Sequence, residues 1–365
     1  MIRKQPIPAH ADPLRAYLDG SETQPMFVQG HAADVLAQWP AECIDFCMTS
    51  PPYFGHRRYE SGGIGEERTF AKYIDNLSAV FAEVSRVLKP TGSLWLNLGD
   101  TYRDKALLGI PWRVALRLTD EGWTLRNDII WHKVKGGPDN ARDKLRNVHE
   151  HLFHFVRDRK GYFYDADAIR TPPNKARVEK GAVVSATGVT GVRYKRQIEL
   201  STVLGAAEKR AASDALAATL EDVRAGRLSD FRMIIRGQQR TTHSDRAAVS
   251  GRAKELNDRG FYFLRYHPKG AKPSDVWDVM PEDTQKRSGS PAAHFAPYPL
   301  DLCRIPLLST CPAGGVALDP FAGTGTTMLA AFELGHRSIG IDLAPEYLDR
   351  AQKRCAAMAS AARPS

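Results

Sequence analysis

The chain has 365 residues, of which 42% are hydrophobic and 25% are charged, the composition of an ordinary globular protein. This length suits one large domain with an insertion, or two domains. No apolar stretch is long enough for a signal peptide or a membrane-spanning helix, so we expect a cytoplasmic protein without a membrane partner. The five scattered cysteines lack the spacing of a zinc site or a disulfide framework, and we expect no metal.

The net charge of +9 is concentrated in one part of the chain. Residues 172–274 contain 20 Lys or Arg against 10 Asp or Glu, so the rest of the chain is near neutral. A double proline at 172 and 173 marks the start of this segment. Such a local excess of positive charge favours a nucleic-acid partner.

The predicted elements begin after a polar, proline-containing stretch, residues 1–25, which we expect to be a loose N-terminal arm. Apolar residues at helical spacing predict a helix over 73–88. Apolar runs predict buried strands at 26–29, 44–48, 93–98, 123–133, 147–155, 162–170, 316–319 and 338–342. In the basic segment we expect mobility over 181–195 and a helix over 201–227.

The strand at 44–48 ends abruptly in Thr49-Ser50-Pro51-Pro52-Tyr53. Proline has no backbone N–H, so the carbonyls around it point outward without a paired donor beside them. A rigid carbonyl, a hydroxyl and an aromatic face together suit one task, which is to hold a flat heterocycle by its exocyclic amine.

The region from Val316 to Asp342 reads as a strand, a glycine loop, a helix that stops at Gly335, and a second strand. Asp342 follows the glycine turn at 323–325 by about 20 positions, the spacing that places an acidic residue on a ribose hydroxyl. No Lys follows Gly325, which argues against a Walker phosphate loop, and the third glycine of the dinucleotide fingerprint is also missing.

These two motifs resemble those of the β-class DNA amino-methyltransferases, which methylate cytosine N4 or adenine N6 with S-adenosylmethionine (SAM). Their order, with the glycine loop more than 250 residues after the Pro-Pro-Tyr motif, resembles the β-class arrangement. The resemblance implies an α/β fold with a Rossmann-like class I methyltransferase sheet, circularly permuted so that the catalytic half comes first. It implies a catalytic half at 26–171, a target-recognition insertion at 172–274 and a SAM-binding half at 275–365.

The resemblance also assigns roles to single residues. The catalytic candidates are Ser50, Pro51, Pro52, Tyr53 and Asp100, although a helix cap suits Asp100 equally well. The candidate SAM ligands are Asp319, Pro320, Phe321, Ala322, Gly323, Gly325, Thr326, Thr327 and Asp342, together with His294, Phe295 and Pro297 of an element expected to cover the methionine part. His31 stands where the family usually has an acidic residue for the adenine, so His31, a backbone group or Asp34 could serve there.

Two stretches of the insertion, 230–244 and 260–270, mix Arg, Gln, Thr and His with aromatic residues. Arg reads guanine, Gln reads adenine, and hydroxyl side chains reach phosphates or bases. A solvated basic face over a small aromatic core would have the same composition. The candidate contacts with double-stranded DNA are Arg232, Arg236, Gln238, Gln239, Arg240, Thr242, His243 and Lys269.

The expected reaction is direct attack of the base amine on the SAM methyl group. Ser50 and the Pro51 carbonyl would accept hydrogen bonds from the amine, while Tyr53 stacks on a flipped base. Serine at position 50 resembles the cytosine-N4 enzymes, and adenine N6, where Asp or Asn is more frequent, is the alternative.

Other reaction classes and partners follow from the same residues. A cytosine-C5 mechanism needs a cysteine after proline, whereas Cys311 precedes Pro312, so we reject it. A non-catalytic DNA-binding protein on this scaffold, and an RNA or protein amide methyltransferase, are the remaining alternatives. The restriction-modification type implied by the resemblance makes a cognate restriction endonuclease a candidate partner, and both a monomer and a homodimer stay open.

Overall fold

The computed structural model describes residues 11–55, 63–135, 140–237, 251–282 and 298–361. The chain divides into two compact units. Unit 1 comprises residues 1–168 and 274–365, and unit 2 comprises residues 169–273. Among the described helices, none has the length and apolarity needed to cross a membrane.

The first part of unit 1 contains α1 (Ala11–Asp19), β1 (Met26–Gln29), α2 (Ala32–Leu36), β2 (Ile44–Thr49), α3 (Phe70–Val87), β3 (Leu88–Leu98), β4 (Tyr102–Arg103), β5 (Ala106–Leu107), α4 (Ile110–Asp120), β6 (Thr124–Lys133) and β7 (His149–Val156). Unit 2 contains β8 (Arg177–Glu179), β9 (Ala182–Val184), α5 (Gly191–Glu199), α6 (Ala206–Arg224), β10 (Asp230–Ile235), α7 (Gly251–Arg259) and β11 (Phe261–Tyr266). Unit 1 then resumes with β12 (Val276–Val279), α8 (Leu300–Thr310), β13 (Val316–Asp319), α9 (Thr326–Glu333), β14 (Arg337–Asp342) and α10 (Pro345–Ala361).

The centre of unit 1 is an eight-stranded sheet in the order β1-β14-β13-β2-β3-β7-β6-β12. The strands from β1 to β3 in this order are parallel, β7 is antiparallel to both its neighbours, and β6 is parallel to β12. Strands from both ends of the chain therefore build one sheet, and the carboxyl ends of the parallel strands lie at one edge. That this connectivity is a circular permutation stays a prediction.

Strand alternation produces a separate core on each face of this sheet. In β3, Leu94 and Leu96 pack with residues of α2, α3 and α4, whereas Trp95 between them packs with residues of α8. Successive side chains of a strand point to opposite faces, so a fully buried strand needs apolar residues on both. The predicted helix over 73–88 is confirmed as α3, which begins after Thr69, whose side chain accepts from the Lys72 N–H.

The N-terminal segment differs from the expected loose arm, because residues 11–19 form helix α1. Leu14 is buried, and the Tyr17 hydroxyl donates to the Ser338 carbonyl of β14 over 3.0 Å. The Arg337 guanidinium also donates to the Leu18 carbonyl, at 2.7 Å. The sequence did not predict this helix because the segment is mostly polar and packs through only a few apolar residues.

Two further expectations are corrected. No strand forms within 162–170, where the chain makes turns and irregular structure. In unit 2, the stretch 181–195 contains β9 and the start of α5 rather than irregular chain alone, and Tyr194 of this stretch is buried in the core of unit 2. The helix predicted over 201–227 is confirmed as α6.

Candidate active site

Two loops leave the sheet side by side, one after β2 and one after β13. Leu318 of β13 is paired in parallel with Cys47 of β2. One residue before the Ser-Pro-Pro-Tyr motif, Thr49 donates a hydrogen bond of 2.6 Å to a carboxylate oxygen of Asp319. The prediction that Ser50 and the glycine loop follow adjacent strands is therefore confirmed.

The Asp319 carboxylate is the centre of a buried hydrogen-bond cluster. The Thr49 hydroxyl and the Phe321 N–H donate to one of its oxygens, at 2.6 and 3.0 Å. The hydroxyls of Tyr298 and Thr327 both lie 2.9 Å from the other oxygen. Burial raises the pKa of Asp319 to about 6, although these hydrogen bonds act to lower it. Since protein donors surround the carboxylate, Asp319 shapes the loop, and its direct contact with SAM stays a prediction.

The glycine loop turns back on the end of β14. The Gly323 N–H donates to one carboxylate oxygen of Asp342 at 2.8 Å, and the Ala344 N–H donates to the other at 2.9 Å. Gly325 has a φ of +81°, and a Cβ there would lie 2.8 Å from the Cβ of Ala351, so the turn requires glycine. Burial raises the pKa of Asp342, and backbone N–H groups counteract this. Asp342 is only partly buried at the strand end, where a ribose could approach it.

The residues around this loop fit the polar end of a SAM molecule. The Thr326 hydroxyl, at the first residue of α9, is buried and has no hydrogen-bond partner among the described residues. A buried hydroxyl without a partner beside a glycine turn is typical of a ligand-binding loop. Phe321 is partly buried beside it, whereas Pro320, Ala322, Gly323 and Thr327 are buried.

His31 lies next to the same strand end. Gly30 donates its N–H to the Asp342 carbonyl at 3.0 Å, which places the turn after β1 beside β14. His31 is exposed and precedes α2 without capping it through its side chain. Asp34 is exposed as well. The position is compatible with the expected adenine contact, which stays a prediction.

The Pro-Pro-Tyr loop is held in place by α3. The Tyr73 hydroxyl of that helix donates to the Pro52 carbonyl at 2.9 Å. Pro51 is buried and its carbonyl is left as the candidate acceptor for a substrate amine. Ser50 donates to the Tyr53 hydroxyl oxygen at 3.3 Å, and Gly99 packs against the Tyr53 ring, where a Cβ would lie only 2.7 Å from Cε2.

A polar network that the sequence did not reveal connects this loop to β3, β6 and β7. Tyr53 donates to Oε2 of Glu150 at 2.6 Å, and Nδ2 of Asn97 donates to the same oxygen at 2.7 Å. Lys133 lies 2.5 Å from Oε1 of Glu150. Burial, and then the charge of Glu150, raises the pKa of Tyr53 well above its usual range, so its hydroxyl is a proton donor.

Sequence reasoning missed Asn97 and Glu150 because both lie inside apolar strands. Asn97 is 1% exposed and Glu150 is 8% exposed, and Oδ1 of Asn97 has no partner among the described residues. A polar residue that interrupts a buried strand near its end is the signal that could have found them. No group of three or more metal-binding side chains occurs in the described part of the chain.

Asp100 takes the helix-capping role of its two predicted roles. Its carboxylate accepts from the N–H groups of Thr101, Gly109 and Ile110, at 2.8 to 3.0 Å. Ile110 is the first residue of α4, so Asp100 closes the 101–109 loop onto that helix. These N–H groups take three of the roughly four lone-pair positions of the carboxylate, so the structure favours the cap over the catalytic role of Asp100.

The candidate DNA contacts differ in how available they are. Arg232 is exposed on β10 and Lys269 is exposed after β11. Arg236 instead donates to both carboxylate oxygens of Glu208 at 2.9 Å and to the Val203 carbonyl at 3.0 Å, so it stabilises unit 2 itself. This pairing argues against a DNA contact of Arg236, which stays a prediction. The remaining candidates, Gln238, Gln239, Arg240, Thr242 and His243, and the SAM candidates His294, Phe295 and Pro297 lie outside the described residues.

Comparison with known proteins places the site in a family. The family model described as DNA methylase, for N6 and N4 methylation, matches residues 44–353. The chain belongs to this DNA methylase family. It is 30% identical to the type II methyltransferase M.SfiI of Streptomyces fimbriatus, over 87% of this chain and 88% of M.SfiI. It is 26% identical to M.SmaI of Serratia marcescens, over 90% of this chain and 89% of that enzyme.

Solved structures agree in fold. The PvuII DNA methyltransferase, a cytosine-N4-specific enzyme, superposes with a TM-score of 0.52 at 14% identity, covering 93% of each chain. A DNA modification methylase of Thermus thermophilus gives 0.50 at 22% identity, covering 91% of this chain and 95% of that one. The α/β methyltransferase fold is therefore confirmed, and the protein is a SAM-dependent DNA methyltransferase.

Proposed function

We propose that this DNA methyltransferase transfers the methyl group of SAM to the N4 amine of a cytosine flipped out of duplex DNA. The observation that carries the proposal is the Ser50 hydroxyl, which lies at the carboxyl end of β2 next to the strand that leads into the glycine loop. A serine at this position resembles the cytosine-N4 enzymes, and its short side chain suits a base amine held close to the loop.

Each acceptor of the loop has a separate task. A base amine is a poor nucleophile because its lone pair is delocalised into the ring. Ser50 Oγ and the Pro51 carbonyl accept hydrogen bonds from its two N–H groups, which favours a tetrahedral nitrogen with a directed lone pair. SAM, when bound, would supply a methyl group whose bond to the sulfonium sulfur breaks as the N–C bond forms, and solvent would take the surplus amine proton. Tyr53, fixed at its hydroxyl by Glu150 and against Gly99, offers a rigid ring for stacking on the base.

The cofactor site follows from the two strand ends beside that loop. Gly323, Gly325 and Thr326 hold the amino-acid end, while Asp342 holds the ribose. Asp319 keeps the loop in shape from beneath, through its cluster with Thr49, Tyr298 and Thr327. His294, Phe295, Pro297 and His31 stay predicted contacts of the same cofactor.

We assign target recognition to unit 2, because the basic excess of the chain lies between residues 172 and 274. Arg232 and Lys269 are exposed there and can contact DNA. The curated relatives are type II methyltransferases, and we propose the same restriction-modification setting here, with a cognate endonuclease as partner.

The test is mass spectrometry of nucleosides from unmethylated duplex DNA incubated with SAM and the protein. We expect N4-methylcytosine, and a Ser50→Ala variant that binds SAM normally but methylates about 100-fold more slowly. N6-methyladenine would overturn the assignment of the base while keeping the enzyme class. An unchanged rate in Ser50→Ala would refute the role of the hydroxyl.

A further inference from the structure

A directed chain of hydrogen bonds runs from the Ser50 hydroxyl to a buried carboxylate. Ser50 donates to Tyr53 at 3.3 Å, and Tyr53 donates to Glu150 at 2.6 Å. Nδ2 of Asn97 lies 3.3 Å from Ser50 Oγ, 3.0 Å from the Tyr53 hydroxyl and 2.7 Å from Glu150. These groups come from β3, β7 and the loop after β2, and the sheet brings them to one edge.

We propose that Glu150 is a positioning residue that sets the direction of this chain, so that Ser50 Oγ can accept a hydrogen bond from the target amine. The inference rests on the proposed methylation of an exocyclic amine. Glu150 does not touch the base. It acts through Tyr53 and Asn97.

The direction of the hydrogen-bond chain follows from the number of protons that its members carry. An ionised carboxylate can only accept, so Tyr53 must spend its single proton on Glu150. The Tyr53 oxygen then accepts the Ser50 proton, which leaves two lone pairs on Ser50 Oγ. One faces the amide of Asn97, and the other is available to a base N–H. If Tyr53 donated to Ser50 instead, its proton would occupy one lone pair of Ser50 Oγ, and the amine would have to compete with the Asn97 amide for the other.

Lys133 explains why this task needs a charged carboxylate. Its ammonium group lies 2.5 Å from Oε1 of Glu150, whose side chain is only 10% exposed. A neutral glutamine has one acceptor oxygen, and Lys133, which can only donate, would attract it most strongly. The amide NH₂ would then face Tyr53, whose proton would turn toward Ser50. Glu150→Gln thus changes the hydrogen-bond direction with almost no change in shape.

The chain offers a matched control at the amino end of β2, away from the Ser-Pro-Pro-Tyr loop. Asp45, near the start of β2, is 6% exposed and pairs with Lys89 at 2.8 Å. Like Glu150, it is a buried carboxylate with a lysine partner on another strand. Asp45→Asn therefore measures what the loss of such a pair costs the fold alone.

The experiment measures single-turnover methyl transfer to duplex DNA and SAM affinity by calorimetry, for the wild type, Glu150→Gln, Tyr53→Phe, the double variant and Asp45→Asn. We expect Glu150→Gln and Tyr53→Phe each to lose about 10- to 100-fold in rate with unchanged SAM affinity. We expect the double variant to be no slower than the slower single variant, because both changes break one chain. Asp45→Asn should melt at a lower temperature and keep the wild-type rate.

Several outcomes would overturn the proposal. These are a wild-type rate in Glu150→Gln, multiplicative losses in the double variant, lost SAM affinity in Glu150→Gln, or an equal rate loss in Asp45→Asn. If the wild type is active, each of these outcomes leaves the proposed function intact and refutes only the role of Glu150. A folded, SAM-binding wild type that methylates no base amine would instead refute the proposed function, and this inference with it.

Discussion

The buried Asp319 carboxylate makes the stability of unit 1 depend on pH in an unusual direction. Its pKa rises from 3.8 to about 6 because burial outweighs the hydrogen bonds that favour the charged form. The folded state therefore holds its proton over a range in which the unfolded state has lost it. The associated stability is fully present below about pH 4 and is lost as the pH rises through 6.

The size of the effect follows from the shift in pKa. A difference of roughly two pKa units corresponds to about 3 kcal/mol of unfolding free energy lost between about pH 4 and pH 7. Other carboxylates also titrate in this range, so the useful quantity is the difference between the wild type and Asp319→Asn. Asparagine stays neutral at every pH, and the cost of its altered hydrogen bonds is constant.

Urea unfolding followed by tryptophan fluorescence measures this difference. The six tryptophans, Trp39, Trp95, Trp112, Trp123, Trp131 and Trp277, all lie in unit 1, so the signal reports the unit that contains Asp319. We expect the stability of the wild type relative to Asp319→Asn to fall by about 3 kcal/mol between about pH 4 and pH 7. A relative stability that is flat or rises with pH would show that the surrounding hydroxyls favour the anion more than burial disfavours it, and would refute the reasoning.

The remaining predictions concern the catalytic loop and unit 2. Gly99→Ala should displace the Tyr53 ring and slow methylation about 10- to 100-fold, with SAM affinity unchanged by calorimetry; a wild-type rate would show that the ring is free to move. Arg232→Ala should weaken DNA binding and reduce the number of counterions released on binding by about one. The slope of log affinity against log salt concentration, from titrations at several salt concentrations, measures this number. Arg236→Ala, which loses the pair with Glu208, should lower the hydrogen-exchange protection of unit 2 and leave the salt dependence of DNA binding unchanged. Unchanged protection together with a weaker salt dependence would contradict the division of roles between Arg232 and Arg236.

Local chemistry could be read from the sequence where it depends on neighbouring residues. The Ser-Pro-Pro-Tyr loop and the glycine turn each have their glycines, prolines and apolar strand within a few positions, so the form of both loops was predictable, as was SAM as the cofactor. The helix stop at Gly335 was equally local, since Gly335 has a φ of +75° and follows Leu334, the C-cap of α9. The positive charge of residues 172–274 could be obtained from the sequence by counting the charged residues.

The hydrogen-bond partners of individual polar side chains could not be predicted, because they depend on residues far apart in the chain. Asp100 could cap a helix or accept a proton, and only the folded loop, with the N–H groups of Gly109 and Ile110 at 3.0 Å, decided for the cap. Arg236 was predicted from composition to contact DNA, and only the folded unit 2 shows that its guanidinium donates to Glu208, 28 positions away.

The sequence by itself thus determined the fold class, the two functional loops and the family of chemistry, because strand periodicity and turn residues act over short stretches of chain. The tertiary structure decided which polar atoms are free to act. Thr49 and Asp319, 270 positions apart, meet only because β2 and β13 are neighbours, and Tyr53 reaches Glu150 only across β3. A buried polar group must find a partner wherever the fold supplies one, so its role is fixed by the sheet order and not by its sequence neighbours.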